Sequence, residues 1–282
     1  MKSSKYICKT IMRKLLYILI GLVTLTSCNN DRGELEDETQ VVSAKEIVTS
    51  SSLYNQVFTL TQRTIDNIEI EEQLKSGQTS FFSDSCADVV YYLSQDLSYV
   101  ENVIISYNDF SCAPVGQRRI GKIHVYLTGL ISEQGTEVTV ILDDFHIEHH
   151  KIEGTQISTN IDVNGFIWEF DQTVENGRIT FPSGDYALWE SDKYIRINLL
   201  TKKYIQILES NGVNSQGMEY EVETLIPLEK SFTCDFIDKG SLLIELEDYD
   251  DMIIDYGNGT CDDQATITLV NDEYESFDFT LK

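Results

Sequence analysis

The sequence predicts a mainly β protein: an antiparallel meander or sandwich-like sheet, with one short helix ahead of it. Three observations carry that prediction. From residue 79 onward, short runs rich in Val, Ile, Thr and aromatics recur at intervals of about 10 residues. Turn-forming pairs separate them, among them Asn164-Gly165, Asn176-Gly177 and Asn258-Gly259. With only 3 prolines and short connections, the chain reads as a continuous sheet rather than as small domains strung on linkers.

The elements follow in chain order. Lys2, Lys5, Lys9, Arg13 and Lys14 open the chain, with no acid before Asp31. The apolar run Leu15 to Leu25 is shorter than the roughly 20 residues a membrane-spanning helix needs, and it fits the core of an export signal. Leu25-Thr26-Ser27-Cys28 resembles the lipobox of bacterial lipoproteins. That resemblance implies removal of residues 1–27 and acylation of Cys28, which would anchor the chain in a lipid bilayer. An ordinary secretory signal, with Cys28 a bystander, is the plain alternative. Residues 28–50, with Asp31, Glu34, Glu36, Asp37 and Glu38, read as a solvated acidic tether. Acids at this place also resemble the surface-export signal of Bacteroidota lipoproteins. The expected location is therefore the outer membrane and the cell surface, with a periplasm-facing anchor as the alternative.

Residues 51–78 form the expected helical segment. Tyr54, Val57, Phe58, Ile65 and Ile68 recur at helical spacing, and Ser51 or Ser52 could cap the start. Residues 79–282 form the β domain. Its strand signals include "ADVVYYLSQ", "RIGKIHVYLTG", "TEVTVILDDF", "KIEGTQISTNI", "NGFIWEFDQTV", "GRITFPSG", "DKYIRINLL", "EYEVETLI", "SLLIELEDY", "ATITLV" and "ESFDFTLK". Alternation places Phe166, Trp168 and Phe170 on one face, with Ile167, Glu169 and Asp171 on the other.

A repeat links the cysteines. "IISYNDFSC" (Ile104 to Cys112) and "IIDYGNGTC" (Ile253 to Cys261) share Ile, Ile, Tyr and Cys at equal spacing, and each follows another cysteine, Cys86 or Cys234. In each copy one cysteine precedes an outgoing strand and the other follows the returning one. An antiparallel hairpin brings those two positions together. The expected disulfides are Cys86–Cys112 and Cys234–Cys261, with cross-pairing between the copies as the rival. The duplication suggests pseudo-repeats over about 79–160 and 161–282.

Charge excludes some partners. Without residues 1–27 the chain keeps 16 of its 21 basic residues against 47 acidic ones, a net charge of −31. Nucleic acid and anionic membrane surfaces would repel it, and no Gly-rich phosphate loop argues otherwise. No cofactor is expected.

"GKIHVYLTG", "ILDDFHI…KIEGT" and "IDYGNGTCDDQATITL" resemble segments of a family of uncharacterised Bacteroidota outer-membrane or surface lipoproteins. The likeness covers most of residues 86–282 and is patchy through 170–230. It implies a fold and a location. A hairpin tip that carries Asn-Gly in the family reads Glu148-His149-His150 in this chain.

Three constellations could carry chemistry. His146, Glu148 and His150 alternate, so a single strand would set them on one face as zinc ligands; a solvent-exposed hairpin tip is the bland reading. Asp248, Asp250, Asp251, Asp255, Asn258, Asp262 and Asp263 could offer Asp255 and Asp262 to Ca²⁺, although the spacing is not that of an EF-hand. Trp168 and Trp189 could form a sugar-stacking platform, or simply be core. No G-x-S-x-G elbow is present. The expected function is a non-catalytic binding or structural module, with a glycan or another envelope protein as partner. The alternative is an enzyme acting on polysaccharide through an unidentified carboxylate pair.

Overall fold

The computed structural model describes residues 28–74, 86–113, 117–234, 236–271 and 275–281. The expected signal segment, residues 1–27, lies outside the described residues. Among the described residues one helix, α1 (Cys28–Leu74), is followed by thirteen strands in a single antiparallel sheet whose spatial order is the chain order. The strands are β1 (Asp88–Leu93), β2 (Val100–Tyr107), β3 (Arg119–Leu127), β4 (Glu137–Ile147), β5 (His150–Asn164), β6 (Ile167–Thr180) and β7 (Tyr186–Asn198). They continue as β8 (Lys203–Val213), β9 (Glu219–Ser231), β10 (Lys239–Leu246), β11 (Met252–Asn258), β12 (Gln264–Leu269) and β13 (Ser276–Thr280). The mainly β meander expected from the sequence is present. Among the described residues no helix is long and apolar enough to cross a membrane.

The helix corrects the reading of residues 28–50 as an extended tether. All of them are helical, and α1 is 47 residues long. Up to Val42 it belongs to one compact unit; from Ser43 onward it shares a unit with the sheet. In that second unit Ala44, Ile47, Val48, Ser51, Tyr54, Asn55, Phe58, Thr61, Gln62, Ile65, Ile68 and Glu69 are buried at spacings of three and four. Five of those twelve residues are polar, which dilutes the apolar pattern, yet the helix expected over 51–78 is present as far as Leu74. Ser51 lies inside the helix rather than at its cap, and Ser50 Oγ bonds back to the Glu46 carbonyl at 2.9 Å.

Between Ser43 and Glu69 only Lys45 and Arg63 are exposed, so the sheet encloses the helix from several sides. Tyr54 donates to the Glu153 carbonyl at 2.7 Å, and Gln156 on β5 donates to the Tyr54 carbonyl. Lys193 on β7 reaches Asn55 at 2.6 Å, and Asn214 reaches Ser43. Farther along, Glu69 accepts the Ile131 N–H and Arg63 donates to the Phe232 carbonyl. Period-2 burial on β7 puts Ala187, Trp189, Ser191, Lys193, Ile195 and Ile197 inward against the helix.

Asn176-Gly177 is not a turn. It is a bulge inside β6, where the register shifts between Val174 and Gly177 and Asn176 takes φ +52°. An Asn-Gly pair suits left-handed backbone in a bulge as well as in a hairpin. "NGFIWEFDQTV" and "GRITFPSG" are consequently one strand. A Cβ at Gly177 would lie 2.3 Å from the Trp189 carbonyl oxygen, so the bulge also needs a glycine. The turn after β5 is Gly165-Phe166, which leaves Phe166 57% exposed and off the face of Trp168 and Phe170. Strand β8 was not among the expected strands. Its inward row includes Gln206, Ser210 and Gly212, so apolar alternation fades halfway along it.

Both expected disulfides are present: Cys86–Cys112 and Cys234–Cys261, with Cα atoms 5.6 and 5.7 Å apart. Each closes a hairpin, β1–β2 or β10–β11. The two are not register copies. Ile105 pairs with Val89, three residues after Cys86, whereas its counterpart Ile254 pairs with Leu242, eight residues after Cys234. Nor does the sheet divide at residue 160, because β5 runs across that position.

Candidate functional site

An antiparallel meander sends alternate turns to opposite ends of the sheet. The β2–β3, β4–β5 and β6–β7 connections therefore share one end, where they line an open groove of about 530 Å³. Phe110 comes from the first connection, Glu148 and His149 from the second, and Phe181, Pro182 and Gly184 from the third. Ile120 and His146 line the strand ends beneath.

Glu148 and His149 form a two-residue turn, because Ile147 pairs with His150 and His146 with Lys151. Glu148 takes φ +51°, the left-handed conformation such a tight turn requires. Its N–H donates to the Arg118 carbonyl, and its carboxylate accepts the Arg118 N–H, both at 2.8 Å. These two bonds clamp the turn to the start of β3. The rings then meet across connections: His149 lies 5.5 Å from Phe110, and His150 packs edge-on to Phe181 at 5.8 Å. The Arg118 guanidinium lies over Phe110 at 5.5 Å. Burial holds the His150 imidazole below its usual range, against a hydrogen bond to the Ile147 backbone that pulls the other way. At neutral pH His150 is therefore the uncharged partner of Phe181.

This geometry corrects the zinc reading. The chain reverses at Glu148-His149, so His146 and His150 stand on opposite faces of the hairpin rather than on one strand face. His146 turns Nδ1 to the Asp144 carbonyl at 2.9 Å, and Glu148 is engaged by Arg118. Among the described residues no group of three His, Cys, Asp or Glu side chains converges as a metal site.

The acidic cluster is divided as well. Asp248, Asp250 and Asp251 lie in the turn before β11, whereas Asn258 ends that strand and Asp262 and Asp263 lie beyond it, roughly 20 Å away along a strand of this length. Asp255 accepts the Gly257 N–H at 2.8 Å, and Asp262 accepts the Gln264 N–H at 3.1 Å. The first bond lies within β11, and the second shapes the turn into β12.

Trp189 is 1% exposed, between Tyr54 and Tyr220 with ring centroids 6.3 and 6.2 Å away. Trp168, half-buried, pairs with Ile197, eight residues along β7 from Trp189 and so roughly 26 Å distant. The two tryptophans make no common platform. The Cys28 side chain lies outside the described residues.

Phe110, Ile120, Phe181 and Arg118 escaped the sequence reading. The visible signal was the Phe-Pro-Ser-Gly turn at 181–184, a polar tip headed by an aromatic. Comparison with protein-family models, curated proteins and solved structures returned no match.

Proposed function

We propose that this chain is an acylated envelope lipoprotein, held by Cys28, that works as a non-catalytic binding module through the groove between Phe110 and Phe181. One observation carries the binding role. Three separate connections bring aromatic rings, an imidazole and a proline to one open groove above His146, while the single carboxylate among its described lining residues, Glu148, is taken by the Arg118 N–H. Such a surface offers stacking faces and hydrogen-bonding edges rather than an acid–base pair. A sugar ring matches it, because its C–H face stacks on phenyl groups and its hydroxyls reach His146 and His149. The envelope location rests on the lipobox resemblance and on the basic and apolar residues before it.

A glycan array with the full-length protein tests the reading. Phe181→Ala should lower affinity for any bound glycan about tenfold, the scale of one lost stacking contact, with no sugar released on prolonged incubation. Binding indifferent to both Phe110→Ala and Phe181→Ala would remove the groove from the account. Released sugar would make the protein an enzyme.

A further inference from the structure

We infer that Arg118 is a specificity residue of the groove and takes a carboxylate, so that the glycan bound there carries a uronic acid. This rests on the binding role proposed above for the same groove. Arg118 sits at its edge. The guanidinium lies over Phe110 at 5.5 Å, and the Arg118 backbone exchanges two hydrogen bonds with Glu148; both residues line the groove. The side chain is half-buried, and its Nε is shielded from solvent with no hydrogen-bond partner. An orphaned donor of this kind is costly, and an oxygen of a bound ligand would satisfy it. Among the described residues no carboxylate pairs with this guanidinium, although the chain holds 47 acids. Arg178 and Arg196, by contrast, face Glu153 and Glu169. Residues 114–116, which lie outside the described ones on this connection, are Pro-Val-Gly and carry no charge.

The surrounding charges suit a single anionic group. Arg118, Arg119 and Lys122 put three bases in five residues, which no other five-residue stretch of the chain does. The acids nearest Arg118 in chain and register are already engaged. Asp109, beside Phe110, accepts the Ser111 N–H and hydroxyl at 2.8 and 2.6 Å. Glu148 accepts the Arg118 N–H, Asp143 stands opposite Lys122, and Asp144 lies 3.8 Å from Lys151. A carboxylate arriving side-on takes Nε and one Nη of Arg118 together, a planar two-bond contact that an ammonium group does not offer. The sugar ring that bears it then stacks within the groove. A net charge of −26 disfavours a polyanion, so the matching glycan carries isolated uronic acids among neutral sugars.

The test prints short oligosaccharides that each carry one uronic acid beside their methyl esters, and probes them with the full-length protein, disulfides intact. Each ester keeps the shape of its acid and removes the charge. The acids are expected to bind about tenfold more tightly than the esters, the scale of one charge-assisted contact, and this comparison needs no substitution. Arg118→Gln should bring the acids down to the level of the esters, with cooperative melting retained. Arg118→Lys should restore only part of the preference, because it returns the charge without the fork. Phe181→Ala should weaken acids and esters alike. Equal binding of acid and ester, still lost in Phe181→Ala, would overturn the inference and leave the binding role of the groove standing. An acid preference that survives Arg118→Gln would overturn it too, as would stronger binding of sulfated counterparts. Absence of binding by any glycan would overturn both readings.

Discussion

Lys193 is fully buried on β7, where it donates to Asn55 of the helix at 2.6 Å. Burial, with the repulsion of the nearby Lys230 ammonium, lowers its pKa from 10.5 to about 7. Below pH 7 the lysine is protonated in both states, so the fold bears the full penalty of a buried cation. Between pH 7 and 10.5 the unfolded chain holds the proton that the folded chain has released, so stability rises with pH across this window. Lys193→Met should stabilise the protein by about 1–3 kcal/mol at pH 6, with the gain shrinking towards pH 10. Urea midpoints at the two pH values measure it, and a gain equal at both would mean that methionine packing, not charge, is responsible. The sequence shows Lys193 in step with Ile195 and Ile197, so its face was legible. Its burial was not, because the partner that makes burial tolerable lies 138 residues away. The groove residues share this limit: Phe110 and Phe181 acquire a role only when turns distant in sequence meet.

The disulfide hairpins were legible as elements because the cysteines bracket apolar runs, and antiparallel pairing does the rest. Their register was not, since equal cysteine spacing leaves the hairpin turn free to slide. Bulges show the same limit: Asn176-Gly177 satisfies two kinds of backbone, and only the neighbours Trp189 and Tyr54 decide between them. The two closed loops, with sequence separations of 26 and 27, should stabilise equally by chain entropy, roughly 3–4 kcal/mol each. Packing breaks the tie. Cys234 is 1% exposed, whereas both Cys86 and Cys112 reach solvent. Replacing Cys234 and Cys261 by alanine should therefore destabilise more than replacing Cys86 and Cys112, by about 1 kcal/mol for the buried sulfur lost. Equal losses in urea would leave loop entropy as the whole effect.

At the scale of the molecule, one helix serves thirteen strands among the described residues. A sheet buries a face only against a second layer, and from Ser43 onward α1 supplies that layer. Trp189 packs on Tyr54 and Tyr204 on Phe58, while Phe170, Ile195, Leu208 and Val222 line the same buried interior. The sequence announced the sheet because strands carry their period in every few residues. It showed the helix from residue 51 onward, through Tyr54, Val57, Phe58, Ile65 and Ile68. It hid the turns before that, where buried Ser43 and Ser50 interrupt the apolar stripe. Asn214 meets Ser43, and Lys193 meets Asn55 farther along. The sheet alone should consequently not fold. A chain of residues 79–282 is expected to lack near-UV circular dichroism, to bind a hydrophobic dye and to elute as an aggregate. A separate peptide of residues 43–74, added during refolding, should restore a cooperative transition, because the helix joins the sheet by side-chain contacts at both ends and in the middle. If residues 79–282 unfold cooperatively without the peptide, to within about 1 kcal/mol of the full chain, the strands close a core among themselves and α1 is a dispensable lining.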